Sequence, residues 1–195
     1  MLFDETPILN RVTIFTGSAL GTTSVYSLAA QSLGQAAVAD NIGLVYGGGK
    51  VGLMGVIADA FLANGGEVLG VIPESLMEKE LGHSGLSRLE VVPDMHSRKA
   101  RMAELGDGFI AMPGGAGTLE ELFEIWTWQQ LGFHHKPVAL YNVDGFWQPL
   151  LDMLEQMTQS GFIKRDFFES LIVESDPHEL LAAMRAWTPP APKWN

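Results

Sequence analysis

The sequence predicts a doubly wound α/β fold, a Rossmann-like parallel sheet with helices on both faces. Three observations predict it: short apolar runs without polar alternation, helix-like segments between them, and glycines where a run gives way to a helix. Strands that read as continuous apolar stretches are covered on both faces, which is what crossover helices do to a parallel sheet. Ligands of such sheets sit at the carboxyl ends of the strands.

Residues 12–15 form a β-rich run that ends in Thr16-Gly17-Ser18, and a helical stretch begins near Ser24. Residues 43–46 lead into Gly47-Gly48-Gly49, followed by a helix over about 51–64. The run 68–72 stops at Pro73, as a buried strand does. Residues 75–88 have no clear period and read as an irregular, functional loop. Residues 89–92 are a further strand, and Pro93-Asp94 punctuates the next helix, with Asp94 a good N-cap. The run 109–112 enters Pro113-Gly114-Gly115, with a helix over about 118–130. A strand at 138–141, a helix over 147–159, a strand at 171–173 and a helix after Asp176 complete the set. Residues 1–188 read as one Rossmann-like domain, and 189–195, opening on Pro189-Pro190-Ala191-Pro192, as a frayed tail.

Composition narrows the function. Of 195 residues, 47% are hydrophobic and 18% charged, the balance of a compact globular chain. The absence of cysteine excludes disulfides, thiolate zinc sites and cysteine nucleophiles. The start, Met1-Leu2-Phe3-Asp4-Glu5, is acidic where a secretory signal is basic. The longest apolar stretch, 52–63, contains Asp59 and is too short to span a bilayer. The expectation is a cytoplasmic protein with no membrane partner. A net charge of −11 argues against nucleic acid as a partner, because that affinity comes from neutralising phosphates. Locally, however, Arg98, Lys99 and Arg101 fall together.

Two glycine loops compete for a ligand. Gly47-Gly48-Gly49-Lys50-Val51-Gly52 satisfies G-x-G-x-x-G, with Glu74 about where a ribose-binding acid would lie. That is the dinucleotide reading; the alternative is that the glycines only permit a tight turn. Val51 after Lys50 rules out a Walker A loop, and the chain leaves no residues for a dehydrogenase's second domain. The stretch Pro113-Gly114-Gly115-Ala116-Gly117-Thr118-Leu119-Glu120-Glu121 is more informative. Glycines bring backbone N–H groups close to an anion, and the helix starting there adds partial positive charge. Thr118 and Glu121 also spell a T-x-x-E capping box, so Glu121 reads either as a cap or as a functional carboxylate. Glu120 and Glu121 project about 100° apart on a helix and are expected to do different jobs. On the helix after Asp94, Met95, Arg98 and Met102 share a face, which turns Arg98 inward, where its fork suits a phosphate.

These residues resemble the Lonely Guy family, the cytokinin riboside 5′-monophosphate phosphoribohydrolases. The resemblance rests on 113–121 as PGGxGTxxE, on Met95-His96-Ser97-Arg98-Lys99, on Tyr46-Gly47-Gly48-Gly49 with Gly52-Leu53-Met54-Gly55, and on Val143-Asp144-Gly145-Phe146. It runs from Phe15 to about Ile163 and departs at Gly17-Ser18-Ala19, where a second serine is common. It implies that Arg98 and Glu121 are the catalytic pair. It also implies substrate contacts from Arg98, Lys99, Gly114, Gly115, Ala116, Gly117, Thr118, Leu119, Glu120, Glu80 and Thr127, with Ser18, Gly47, Gly48 and Met95 as further contacts. The implied reaction, in cytokinin biosynthesis, releases a free base and ribose 5-phosphate from an N6-substituted AMP such as N6-isopentenyl-AMP, with no cofactor and no metal. A broader nucleosidase acting on plain AMP uses the same residues, and a non-catalytic nucleotide or dinucleotide binder is the non-enzyme alternative. Members of the family have also been labelled lysine decarboxylases. That chemistry needs a Schiff-base lysine with defined partners, and neither Lys50 nor Lys99 has such a setting in the sequence.

The five histidines, His83, His96, His134, His135 and His178, have no metal-ligand spacing, and no G-x-S-x-G elbow occurs. The helix from Thr118 carries Leu119, Leu122, Phe123, Ile125, Trp126, Trp128 and Leu131 and lacks a wide polar face. Such a helix is buried on both sides, either under a loop or at a subunit interface. The interface is the preferred reading, and the resemblance also implies a homodimer.

Overall fold

The computed structural model describes residues 8–77 and 82–191. Seven strands form one parallel sheet: β1 (Arg11–Phe15), β2 (Gly43–Tyr46), β3 (Val68–Pro73), β4 (Arg88–Val92), β5 (Gly108–Ala111), β6 (Val138–Tyr141) and β7 (Ile172–Glu174). Their order is β4-β3-β2-β1-β5-β6-β7. The chain winds outward from β1 in one direction as far as β4, then returns to place β5 on the other side of β1, with Ile14 opposite Ile110 and Phe15 opposite Ala111. That reversal opens a crevice beyond the carboxyl ends of β1 and β5. The helices are α1 (Val25–Ala39), α2 (Gly52–Ala63), α3 (Met95–Leu105), α4 (Ala116–Gln130), α5 (Gln148–Gln159), α6 (Arg165–Glu169) and α7 (Pro177–Ala186).

Each apolar run of the sequence is a strand, and the central ones are buried along their whole length. Alternate side chains then feed two cores. Val12 and Ile14 join one with Leu33, Ile57, Phe61 and Leu180; Phe15, Phe109 and Ala111 join the other with Met102, Leu122, Trp126 and Phe167. Thr13, fully buried between them, satisfies its hydroxyl by donating to the Met102 carbonyl at 2.9 Å. Two helices start as their sequence signals predict: Asp94 accepts the Ser97 N–H at 2.7 Å, and Asp176 accepts those of His178 and Glu179.

The structure corrects three details. Helix α4 begins at Ala116, two residues before the expected start, with Gly115 as N-cap and no side-chain cap. Thr118 is therefore inside the first turn, and the Thr118–Glu121 capping box does not form. Helix α6, five residues long, has no counterpart in the expected elements. Of the irregular stretch 75–88, residues 74–76 form a 3₁₀ turn and Gly82 bridges to Gly49, while 78–81 lie outside the described residues. The C-terminal stretch is anchored by Trp187, buried with its indole N–H donating to the Ser170 carbonyl at 2.9 Å; residues 192–195 lie outside the description. Among the described residues, no helix is long and apolar enough to cross a membrane.

Candidate active site

At the switch point lies a cleft of about 300 Å³ lined by the β1 loop, the start of α3 and the first turns of α4. A larger depression of about 510 Å³ sits at the opposite end of the sheet, against Arg11, Val38, Asn41 and Glu67. There the carboxyl ends of α1 and α2 gather, which disfavours an anion, and Arg11 is already engaged by Glu67 at 2.7 Å. The smaller cleft is where the chemistry collects.

Its floor is the turn between β5 and α4. The Pro113 carbonyl accepts from the Thr16 hydroxyl at 3.1 Å and from the Gly17 N–H at 3.2 Å, clamping the turn to the end of β1. Gly114 has no room for a side chain: a Cβ would lie 2.1 Å from Thr118 Oγ1. Gly115 and Gly117, by contrast, face open space. The first α4 hydrogen bond runs from the Leu119 N–H to the Gly115 carbonyl, so the N–H groups of Ala116, Gly117 and Thr118 precede the helical ladder, uncapped by any side chain among the described residues. Donors so arranged at the positive end of a helix can receive an anion.

Arg98 enters from α3. Although a guanidinium, it is only 5% exposed. Its Nη2 donates to the Gly47 carbonyl at 3.1 Å and its Nη1 lies 3.7 Å from the Met95 sulfur. The seat is made by the first glycine loop. A Cβ on Gly47 would stand 1.8 Å from Nη2, so only glycine leaves the arginine its place. Gly48, at φ +76°, turns the chain so that it packs against Ile72 and Leu89. Gly52, at φ +57°, lies under the backbone of Ser18 and Ala19, and the Leu53 N–H at the start of α2 donates to the Ala19 carbonyl at 3.3 Å. The helix end at which a dinucleotide reading would put a pyrophosphate is thus closed by the protein's own chain.

Of the residues expected at a site, Ser18, Met95, Arg98, Gly115, Ala116, Gly117, Thr118, Glu120 and Glu121 all line this cleft. Gly114, Gly47 and Gly48 stand behind it as supports, and Leu119 turns its side chain into the core beneath. Lys99 is brought elsewhere. Its ammonium is held by Glu120 at 2.5 Å and Glu124 at 3.0 Å, reaching the cleft only through Glu120. Burial alone would lower its pKa, but the bonds from the two carboxylates outweigh that and hold it above the ordinary lysine value. A lysine so locked in the charged form is the reverse of a Schiff-base nucleophile. Thr127 is exposed and lies nine residues beyond Thr118, roughly 13 Å along the helix axis and away from the cleft. Glu80 lies outside the described residues. Glu120 and Glu121 both line the cleft, and Glu120 also pairs with Lys99. Sequence reasoning missed Met54 and Leu76, which add apolar walls; an apolar residue on a helix carries no signal separating core from cleft. Among the described residues no cluster of three side chains suited to a metal occurs.

A parallel sheet whose switch point gathers a helix N-terminus, a buried guanidinium and a carboxylate defines a doubly wound α/β protein with a crevice whose groups can receive an anion. A family model described as "Possible lysine decarboxylase" matches residues 54–184. A probable cytokinin riboside 5′-monophosphate phosphoribohydrolase of Oryza sativa subsp. japonica is 49% identical over 178 residues, 91% of this chain and 80% of the rice protein. The cytokinin riboside 5′-monophosphate phosphoribohydrolase of Rhodococcoides fascians is 47% identical over 181 residues, 92% of this chain and 91% of its own. The chain belongs to this phosphoribohydrolase family, the Lonely Guy family. Among solved structures, the molybdenum cofactor carrier protein of Chlamydomonas reinhardtii superposes with a TM-score of 0.67 at 19% identity, covering 91% of this chain and 97% of its own. At that identity the likeness concerns the fold alone.

Proposed function

We propose that the protein hydrolyses the N-glycosidic bond of a cytokinin riboside 5′-monophosphate, releasing an N6-substituted adenine and ribose 5-phosphate. One observation carries the reading: the uncapped N-terminus of α4, Arg98 and Glu121 face the same cleft. The close relatives named for this reaction support the substrate class. In the proposed mechanism the 5′-phosphate accepts from the N–H groups of 116–118, and Arg98 holds the phosphate or ribose so that the pentose lies against Glu121. Breaking the bond to the base builds positive charge on the sugar. The Glu121 carboxylate stabilises that charge, and it orients or deprotonates the attacking water. Water contributes its hydroxyl to the anomeric carbon and a proton to the departing base nitrogen, which closes the balance without a cofactor or metal.

The test is direct. The purified protein is incubated with AMP and with N6-isopentenyl-AMP, and free base is followed by chromatography. Release from both, faster from the isopentenyl nucleotide, is the expected result. Equal rates would move the reading to a general AMP nucleosidase, and silence on both would leave a nucleotide-binding protein without catalysis.

The same reading carries a cytoplasmic location, one catalytic domain over 1–188 and a homodimer. The dimer is supported by the outer end of α4, where Trp128, the 73%-exposed Phe133, Ala100 and Ala103 edge an apolar groove of about 500 Å³. Sedimentation showing a monomer at micromolar concentration would remove it.

A further inference from the structure

We infer that His83, braced by Asp59, is a positioning residue for Arg98. The arginine's seat is a turn, and the turn is held from behind. His83 is 5% exposed, and both ring nitrogens are used: Nδ1 accepts the Gly85 N–H at 3.1 Å, which leaves the proton on Nε2 to donate to Asp59 Oδ1 at 3.0 Å. So fixed, the main chain of His83 donates its N–H to the buried Gly48 carbonyl at 3.0 Å, and neighbouring Gly82 bridges to Gly49. The next carbonyl back, that of Gly47, is the one that accepts from Arg98 Nη2. The line therefore runs Asp59, His83, Gly48, Gly47, Arg98. A purely space-filling role would be met by any apolar side chain of similar volume, and it would not explain why the one charged residue of the otherwise apolar α2 stands where His83 reaches it. Asp59 itself is 64% exposed at its side chain, so its substitution perturbs the brace without opening the core.

The inference rests on the proposed nucleotide hydrolysis only for its kinetic arm; its spectroscopic arm needs no substrate. The Arg98 side-chain Nε–H resonance, assigned by its loss in Arg98→Lys, reports the seat directly. Asp59→Ala shifts or broadens that resonance and lowers kcat/KM roughly tenfold, the scale of a small misplacement of a reacting group. Asp59→Asn, whose amide oxygen still accepts from Nε2, restores both to near wild type. In the Arg98→Lys background Asp59→Ala changes kcat/KM less than twofold, because the group it positions is already gone. An unmoved resonance in Asp59→Ala would overturn the inference, and so would a tenfold loss that simply multiplies onto Arg98→Lys. A wild-type protein that releases no base from any nucleotide while the resonance still moves would sink the proposed function and leave the positioning intact.

Discussion

Gly47→Ala isolates the arginine seat from everything else in the cleft. Position 47 is not in the left-handed region of backbone space, so alanine is acceptable to the main chain there; the obstacle is Arg98. The new Cβ would stand 1.8 Å from Nη2 and 2.9 Å from Cζ, whereas a Cβ is essentially never found closer than 3.0 Å to another heavy atom. The guanidinium must retreat by about 1.2 Å at least and surrender its bond to the Gly47 carbonyl. A charge-assisted bond of that kind contributes about 1.5–3 kcal/mol, which for a chain of this size lowers Tm by roughly 3–12 °C. The kinetic effect is larger in proportion: displacement on the order of 1 Å costs about a hundredfold in kcat/KM. Base release from N6-isopentenyl-AMP, corrected for the folded fraction at 25 °C, is the assay. Gly108→Ala is the control, since its Cβ meets Met184 Cε at 2.7 Å and Pro137 Cγ at 3.0 Å at the amino end of β5, the end of the sheet opposite the cleft. It should lower Tm by a similar amount and leave kcat/KM per folded molecule alone. If Gly47→Ala hydrolyses the nucleotide within threefold of wild type, roughly, the argument that this seat sets the catalytic geometry is wrong.

Three further outcomes are expected. Glu121→Gln keeps Tm near wild type, because the amide matches the carboxylate in size and still accepts hydrogen bonds, and lowers turnover about a hundredfold or more; unchanged base release would show that its charge is not needed. Ribose 5-phosphate at about a hundred times its Kd adds about 2.7 kcal/mol, or roughly 5–10 °C in a thermal melt, while free adenine does not; the absence of any shift at millimolar concentration would argue against an anion site at the start of α4. His134 lies against Phe109, with Nε2 donating to the Ile125 carbonyl at 2.9 Å and Nδ1 accepting from the Lys136 N–H. Burial first, and then the Lys136 charge, hold its pKa below the ordinary 6.5, although the Ile125 bond opposes them. Between the lowered folded value and 6.5 the unfolded chain binds more protons, so stability falls as pH drops below about 6.5. Comparing Tm at pH 7.5 and 5.5 should show a smaller fall in His134→Gln than in wild type; equal falls would refute the assignment.

Much of this architecture was legible because the physics is local. A parallel strand buried on both faces must be apolar throughout, and the runs ending at Tyr46, Pro73 and Tyr141 read that way. The glycine turn before α4 was legible as a motif, but glycine content alone did not set its use, since the loop at 47–52 has the same strand–glycine–helix pattern and seats Arg98 instead. What misled was local chemistry overruled by packing. Thr118 and Glu121 spell a cap, but Gly114 and Gly115 let the backbone enter the helix earlier, and the threonine was drawn inward against Gly114. The resemblance set Lys99 beside Arg98 among the nucleotide contacts; consecutive helical residues diverge by about 100°, and here Lys99 pairs with two carboxylates of α4. The His83–Asp59 brace joins residues 24 apart with no periodic relation, so nothing in the spacing announces it. The single trace was Asp59 itself, a lone charge inside an apolar helix.

The two glycines at the ends of the G-x-G-x-x-G stretch answer to different masters. Position 52 is walled in by main chain, so every descendant that keeps this architecture must leave it bare, active or not. At position 47 the three atoms nearest a new side chain all belong to the arginine's own tip, so a lineage that discarded the arginine would lift that obstacle. A side chain appearing at 47 while 52 stays vacant would therefore mark a relative that has kept the scaffold and given up the reaction.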